Sequence, residues 1–223
     1  MNRVALLLMM FFLFLTDGLS QFRLDADFRL GRSNVKYILN EEGGAYGEQY
    51  MALDYKAAVS WGVDANLGYE FKFGAGVYSG LAYDRIRTYA RNYTMFDPIT
   101  YEMQDVWHNH LFDFLSVPLK VEYRLLKGVV RPYVGYEAAF LVHRDSYTEW
   151  RYEDLIKGRG DDAHFEYRVV TPVFVFGLNL EYKRFVVGVD FRRDQKPFCE
   201  EKTNYMASYK SHQTSFRVGW RVF

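Results

Sequence analysis

Between Leu111 and Leu125 the chain alternates with a period of two. The odd positions read Leu111, Asp113, Leu115, Val117, Leu119, Val121, Tyr123 and Leu125, and the even positions Phe112, Phe114, Ser116, Pro118, Lys120, Glu122 and Arg124. Successive side chains of a β-strand point to opposite faces, so this segment predicts a strand with one apolar face, interrupted by Asp113, and one charged face. If the apolar face meets lipid, turning the strand over would cost about 2–4 kcal/mol for each Lys or Arg near the bilayer centre. The register is therefore strongly specified.

The same pattern recurs along the chain. Phe22, Leu24, Ala26, Phe28 and Leu30 alternate with Arg23, Asp25, Asp27 and Arg29. Apolar rows follow at 59–69, 73–83, 134–142, 174–182, 185–191 and 216–222, each opposed by glycine or charge. With 111–125 this makes about eight strands, an even number as expected for such barrels. The connections sort by length in rotation. Short ones fall near 70–73, 126–131 and 182–185, and long polar ones near 32–50, 88–108, 145–165 and 193–211. Short periplasmic turns and long outer loops have this rhythm. The fold class expected is all-β: a single antiparallel transmembrane β-barrel with up-and-down topology. A soluble lipocalin-type barrel is the rival, and it requires a polar exterior.

The alternate face collects Asp25, Asp27, Arg29, Asp64, Lys120, Glu122, Glu137, Asp190, Arg192, Arg217 and Arg221. An eight-stranded barrel has an interior only wide enough for side chains to fill. Acids and bases in similar numbers predict a paired network, because unpaired buried charge is costly. The lumen is thus expected to be plugged.

Composition adds two points. Aromatic residues make up 19% of the chain, with 19 Tyr and 19 Phe, which suits girdles at a membrane interface. The formal net charge of zero leaves no electrostatic footprint for a nucleic acid. Residues 1–20 read as a signal peptide, with Arg3 ahead of an apolar run from Val4 to Leu15 and small residues Gly18 and Ser20 before a cut at Gln21. That run is shorter than the ~20 residues a helical span needs. The domain assignment is 1–20 leader and 21–223 barrel, exported to the bacterial outer membrane. Cys199 is the single cysteine and reads as a loop thiol without a disulfide.

Two runs, LSVPLKVEYRL at 115–125 and RPYVGYEAAFLV at 131–142, resemble the central strand pair of the PorT-like outer-membrane β-barrel family of Bacteroidetes. FGLNLEYKRF at 176–185 is similar to that family's next hairpin. The resemblance spans roughly residues 21 to 223. It implies the fold and the outer membrane; a few members are accessory factors in protein secretion, and no functional residue carries over. The chain ends in Phe223, but Arg217, Gly219 and Arg221 share its phase while Phe216, Val218, Trp220 and Val222 occupy the other. Either a bulge or a lumen-facing Phe223 would reconcile them.

The histidines, His108, His110, His143, His164 and His212, all map to the outer side. His108, His110 and His143 share the expected lumen phase of adjacent strands, where imidazoles could hold a metal or act as a base. Aromatic and imidazole side chains also simply suit that boundary, and no Ser or Cys/carboxylate spacing completes a site. No cofactor is expected. The leading functional expectation is a non-enzymatic outer-membrane protein with a structural or interaction role, in contact with outer-membrane lipid and with other outer-membrane or periplasmic proteins. The alternatives are a small enzyme acting on outer-leaflet lipid, or a narrow channel.

Overall fold

A computed structural model of the chain describes residues 22–39, 55–96, 103–152, 155–161, 165–201 and 207–222. The leader assigned to residues 1–20, His164 and Phe223 lie outside the described residues. Eight long strands form the wall: β1 (Phe22–Leu39), β2 (Tyr55–Glu70), β3 (Ala75–Phe96), β4 (Met103–Tyr123), β5 (Val130–Tyr152), β8 (Val170–Tyr182), β9 (Phe185–Asp194) and β11 (Ala207–Arg221). Three short strands, β6 (Leu155–Asp161), β7 (Phe165–Tyr167) and β10 (Cys199–Glu201), lie in the connections. Each wall strand pairs antiparallel with the next, and β11 pairs back onto β1 from Asp25↔Arg221 to Leu39↔Ala207. The sheet has closed into an up-and-down barrel, which removes the free edges an open sheet would have across the apolar belt.

Alternation becomes inside and outside as expected. Following the ladders around the wall, one outward row runs Val187, Val218, Phe28, Val63, Tyr83, Leu115, Phe140 and Val170. Leu67, Leu119, Tyr136, Leu178, Phe216 and Trp220 are likewise exposed on that face. A soluble barrel would hide such residues, so the exterior is that of a protein solvated by lipid. On β4 the outward apolar positions from Leu115 to Tyr123 cover roughly 20–25 Å of height at ordinary strand rise and tilt, matching a bilayer core.

At the short-turn end an aromatic girdle closes the belt. Phe22 meets Tyr69 edge-on at 5.3 Å, Tyr69 meets Phe71 at 5.1 Å, Phe71 stacks on Phe73 at 5.3 Å, and Phe185 meets Trp220 at 4.4 Å. The turn between β2 and β3 needs Gly74, whose φ of 96° suits a residue without a Cβ.

The strands run further outward than the apolar rows predict. Much of the segment 88–108, expected as a polar connection, continues the β3–β4 ladder to Phe96↔Met103, and β5 reaches Tyr152. Beyond the lipid both faces of a strand can be wet, so the alternation that marks a strand fades while the backbone pairing persists. On β11 Phe216, Val218 and Trp220 are exposed, as is Val222 just beyond it, and the pairing with β1 runs without a bulge among the described residues.

Candidate functional site

The lumen is filled in three layers. Nearest the short turns, Arg131 reaches Glu70 at 2.5 Å, Glu122 at 2.9 Å and Glu181 at 2.6 Å. Arg23 lies on Glu70 and at 2.9 Å from Glu181, and Arg124 is 2.9 Å from Glu70. Arg221 bridges Asp25 at 3.2 Å and also meets Glu181. The Tyr78 hydroxyl donates to Glu70 at 2.9 Å. Its ring lies where Gly68 and Gly76 leave the wall bare; a Cβ on Gly68 would fall 2.1 Å from Tyr78 Cδ1.

The middle layer sets Arg29, Lys120, Arg192 and Arg217 against Asp27, Asp64, Asp84, Glu137 and Asp190. Asp64 meets cations on three sides: it accepts from Arg217 at 2.6 Å and Lys120 at 3.4 Å, and forms an ion pair with Arg29 at 2.6 Å. Arg29 and Arg217 are direct cross-strand partners. Two like charges so placed repel, and the shared carboxylates make the pairing tolerable. Tyr133 contributes its ring face, with the Arg217 guanidinium 5.4 Å and the Lys120 ammonium 5.8 Å from its centre. Cavities within these layers measure about 20 and 10 Å³, room for no more than a single water each.

The third layer is apolar. Val35, Ile86, Phe112, Phe114, Ala139, Val173 and Val175 line the outer mouth. Phe198, from the connection after β9, drops among them, meeting Phe112 at 4.9 Å and Phe114 at 5.8 Å, both edge-on. Phe198 and Cys199 are each 1% exposed. Cys199 therefore stands on β10 as part of a packed core and is not the loop thiol that the sequence suggests. Among the described residues the barrel is shut twice, by charge and by an aromatic wedge.

Every lumen charge the alternation singles out lies in this interior. Glu70 and Arg131 were missed because they sit at strand ends, beside turns, where the period gives no signal. Phe198 was missed because nothing in a polar connection announces which residue will turn inward.

Among the described side chains, His110 and His143 do not converge. His110 is buried and stacks on Phe112 at 5.9 Å. His143 is exposed and pairs across the ladder with Asp113. The register steps from Asp113↔His143 to Phe114↔Leu141, so one extra residue in β5 reverses its phase. His143 thereby shares the outward face of Asp113, and not the lumen phase expected for it. The side chain of His108 lies outside the described residues. A second bulge, in β2, puts four steps from Ala57 to Trp61 against three from Thr88 to Arg85. Within it Ala58 and Ser60 face inward, and above it Lys56 turns outward beside Tyr89. The Ser33 hydroxyl, donating to the Arg87 carbonyl at 2.8 Å, helps satisfy the backbone there.

These bulges shape the outer rim. An outward row crosses four strands as Trp61, Arg85, Asp113 and His143. The next positions outward carry Arg32 on β1 and Arg87 on β3, and beyond them lies Lys56. The apolar belt ends where this row begins.

No family model matches the chain, and no curated protein matches it. Solved structures do. Neisserial surface protein A is 11% identical, with 89% of this chain and 96% of that chain aligned at a TM-score of 0.41. The outer membrane protein OprG from Pseudomonas aeruginosa is 9% identical over 90% of this chain and 95% of that one, at 0.38. Ail, the attachment invasion locus protein of Yersinia pestis, solved in complex with the heparin analogue sucrose octasulfate, is 11% identical over 90% and 99%, at 0.35. At such identities and scores these likenesses add nothing to the assignment of function, and the barrel rests on its own ladders.

Proposed function

We propose that this chain is an integral protein of the bacterial outer membrane, exported by its N-terminal leader, with a structural or interaction role as an accessory subunit of an outer-membrane or secretion complex. The observation that carries this reading is the continuous lipid-compatible exterior around an interior packed with its own ion pairs. An interior so filled favours a scaffold over a conduit. Wall strands that continue past the belt offer other proteins a rigid platform, and the PorT-like resemblance of residues 115–142 and 176–185 agrees with an accessory part in secretion.

The test is fractionation followed by crosslinking in gently solubilised membranes. The protein is expected to resist carbonate extraction, to migrate differently in SDS gels with and without boiling, and to crosslink reproducibly to defined outer-membrane or periplasmic proteins. Release by carbonate would overturn the membrane placement, and absence of any specific crosslink would overturn the subunit role. A lipid A profile changed by deletion of the gene and restored by the wild-type copy would favour the enzyme alternative instead.

A further inference from the structure

The outer wall of β1–β4 carries a feature that neither the closed lumen nor a plain lipid-facing belt requires. Above the last apolar row is a shallow cleft of about 1120 Å³, open to the outside of the barrel. Arg32, Lys56, Arg85 and Arg87 line it, against Asp145 as its single carboxylate. Arg85 is committed to Asp113. Arg32, Lys56 and Arg87 are exposed, with no ion-pair partner among the described residues. In the adjoining lumen, by contrast, cations are held by carboxylates within 4.0 Å.

Three features give this patch its chemistry. The first is height: it begins at the Trp61–Arg85–Asp113 row, where the apolar belt stops, on the side away from the short turns. In a barrel embedded through that belt, this is the headgroup level of the outer leaflet. The second is density. Ladder rows lie about 7 Å apart along a strand, two residues per step, so cations in successive rows can address one phosphate or two neighbouring ones. The third is the aromatic component. Trp61, Tyr89 and Trp107 share the cleft, and Trp and Tyr rings suit the zone between acyl chain and sugar. The β2 bulge is what turns Lys56 to this face.

We propose that this cleft binds the phosphorylated headgroup of an outer-leaflet glycolipid, with Arg32, Lys56 and Arg87 as the phosphate partners. The acyl chains of the same molecule would lie against the apolar rows directly below, which is why a membrane lipid and not a free anion fits the surface. This rests on the outer-membrane reading above and adds to it a specific lipid site on one side of the barrel.

The test is native mass spectrometry of the full chain, purified in detergent micelles and titrated with bis-phosphorylated lipid A, with the same lipid A after phosphatase treatment, and with inorganic phosphate. The wild type is expected to retain bis-phosphorylated lipid A and to lose most of that preference when the phosphates are removed. The combined variant Arg32→Gln/Lys56→Gln/Arg87→Gln is expected to bind it on the order of 100-fold more weakly, while Arg193→Gln/Lys196→Gln, elsewhere on the exposed surface, binds as wild type. Equal binding by the triple variant, equal loss in the control variant, no dependence on phosphate, or binding of inorganic phosphate as tight as that of the lipid would each overturn the proposal. Carbonate resistance and the gel shift of the triple variant are read in parallel. If they persist while lipid A binding of the wild type is absent, the cleft proposal fails and the membrane placement stands. If the wild type itself is released by carbonate, the placement fails.

Discussion

Arg85 on β3 and Asp113 on β4 face outward as direct ladder partners, joined by two hydrogen bonds of 2.8 and 2.7 Å. Arg85 also lies over the Trp61 ring at 5.7 Å. Asp113 is the one break in the apolar face of its strand, and its partner is what makes the break tolerable at the edge of the lipid. The Arg85 side chain is 39% exposed, so solvent screening limits what the pair contributes. Asp113→Asn is expected to lower stability by about 1 kcal/mol, and a double-mutant cycle with Arg85→Gln should return a coupling of similar size. Urea unfolding in micelles measures both. Strictly additive effects would show that the two side chains do not cooperate.

The exterior makes a sharper prediction at Leu119, which is 59% exposed in mid-belt. Leu119→Arg should cost about 2–4 kcal/mol in a lipid environment, whereas Leu119→Phe should be close to neutral. On a water-soluble barrel an exposed Leu→Arg change would be harmless. Folding into vesicles, followed by denaturant titration, separates the two cases.

Within the lumen, Glu137 is the shared partner of Lys120 and Arg192. Glu137→Gln leaves both cations short of a buried counter-charge, and a loss of about 3–5 kcal/mol is expected. Replacing Lys120 by Met at the same time should recover part of it, because one stranded charge goes with the lost acid. If the single variant unfolds at the wild-type urea concentration, the network is not holding the interior together.

Phe198 holds the outer mouth closed by apolar contact, and Cys199 beside it reports on that closure. In the wild type a maleimide reagent should label Cys199 slowly. Phe198→Ala removes the ring from between Phe112 and Phe114 and should raise the labelling rate by on the order of tenfold or more through local opening. An unchanged rate would mean that the wedge does not control access. Bilayer conductance of the same variant should stay at background, because the charged layers beneath it are intact.

How far the sequence reveals this fold depends on where a residue sits relative to the lipid. Leu115, Leu119 and Val121 opposed to Lys120 and Glu122 carry a strong signal, because lipid on one side and a packed lumen on the other penalise any slip. Outside the belt that penalty vanishes. The outer halves of β3 and β5 therefore read as loops, although their backbones stay paired. Bulges are harder still to see. Nothing local distinguishes the residue that reverses β5, so alternation alone puts His143 on the lumen face and leaves Lys56 unmarked. The rim cleft is missed for the same reason: its cations come from three strands, and only the ladders bring them together.

The seam between first and last strands has a consequence for assembly. Arg217 on β11 reaches Asp64, 153 residues earlier in the chain, and Arg221 reaches Asp25, 196 residues earlier. A slip of one residue at the seam would expel both arginines into lipid and draw Phe216, Val218 and Trp220 into a polar interior. The last strand to be made is thus checked against the first by charge. A misaligned closure would be rejected during assembly, before it could persist as a defect in the finished wall.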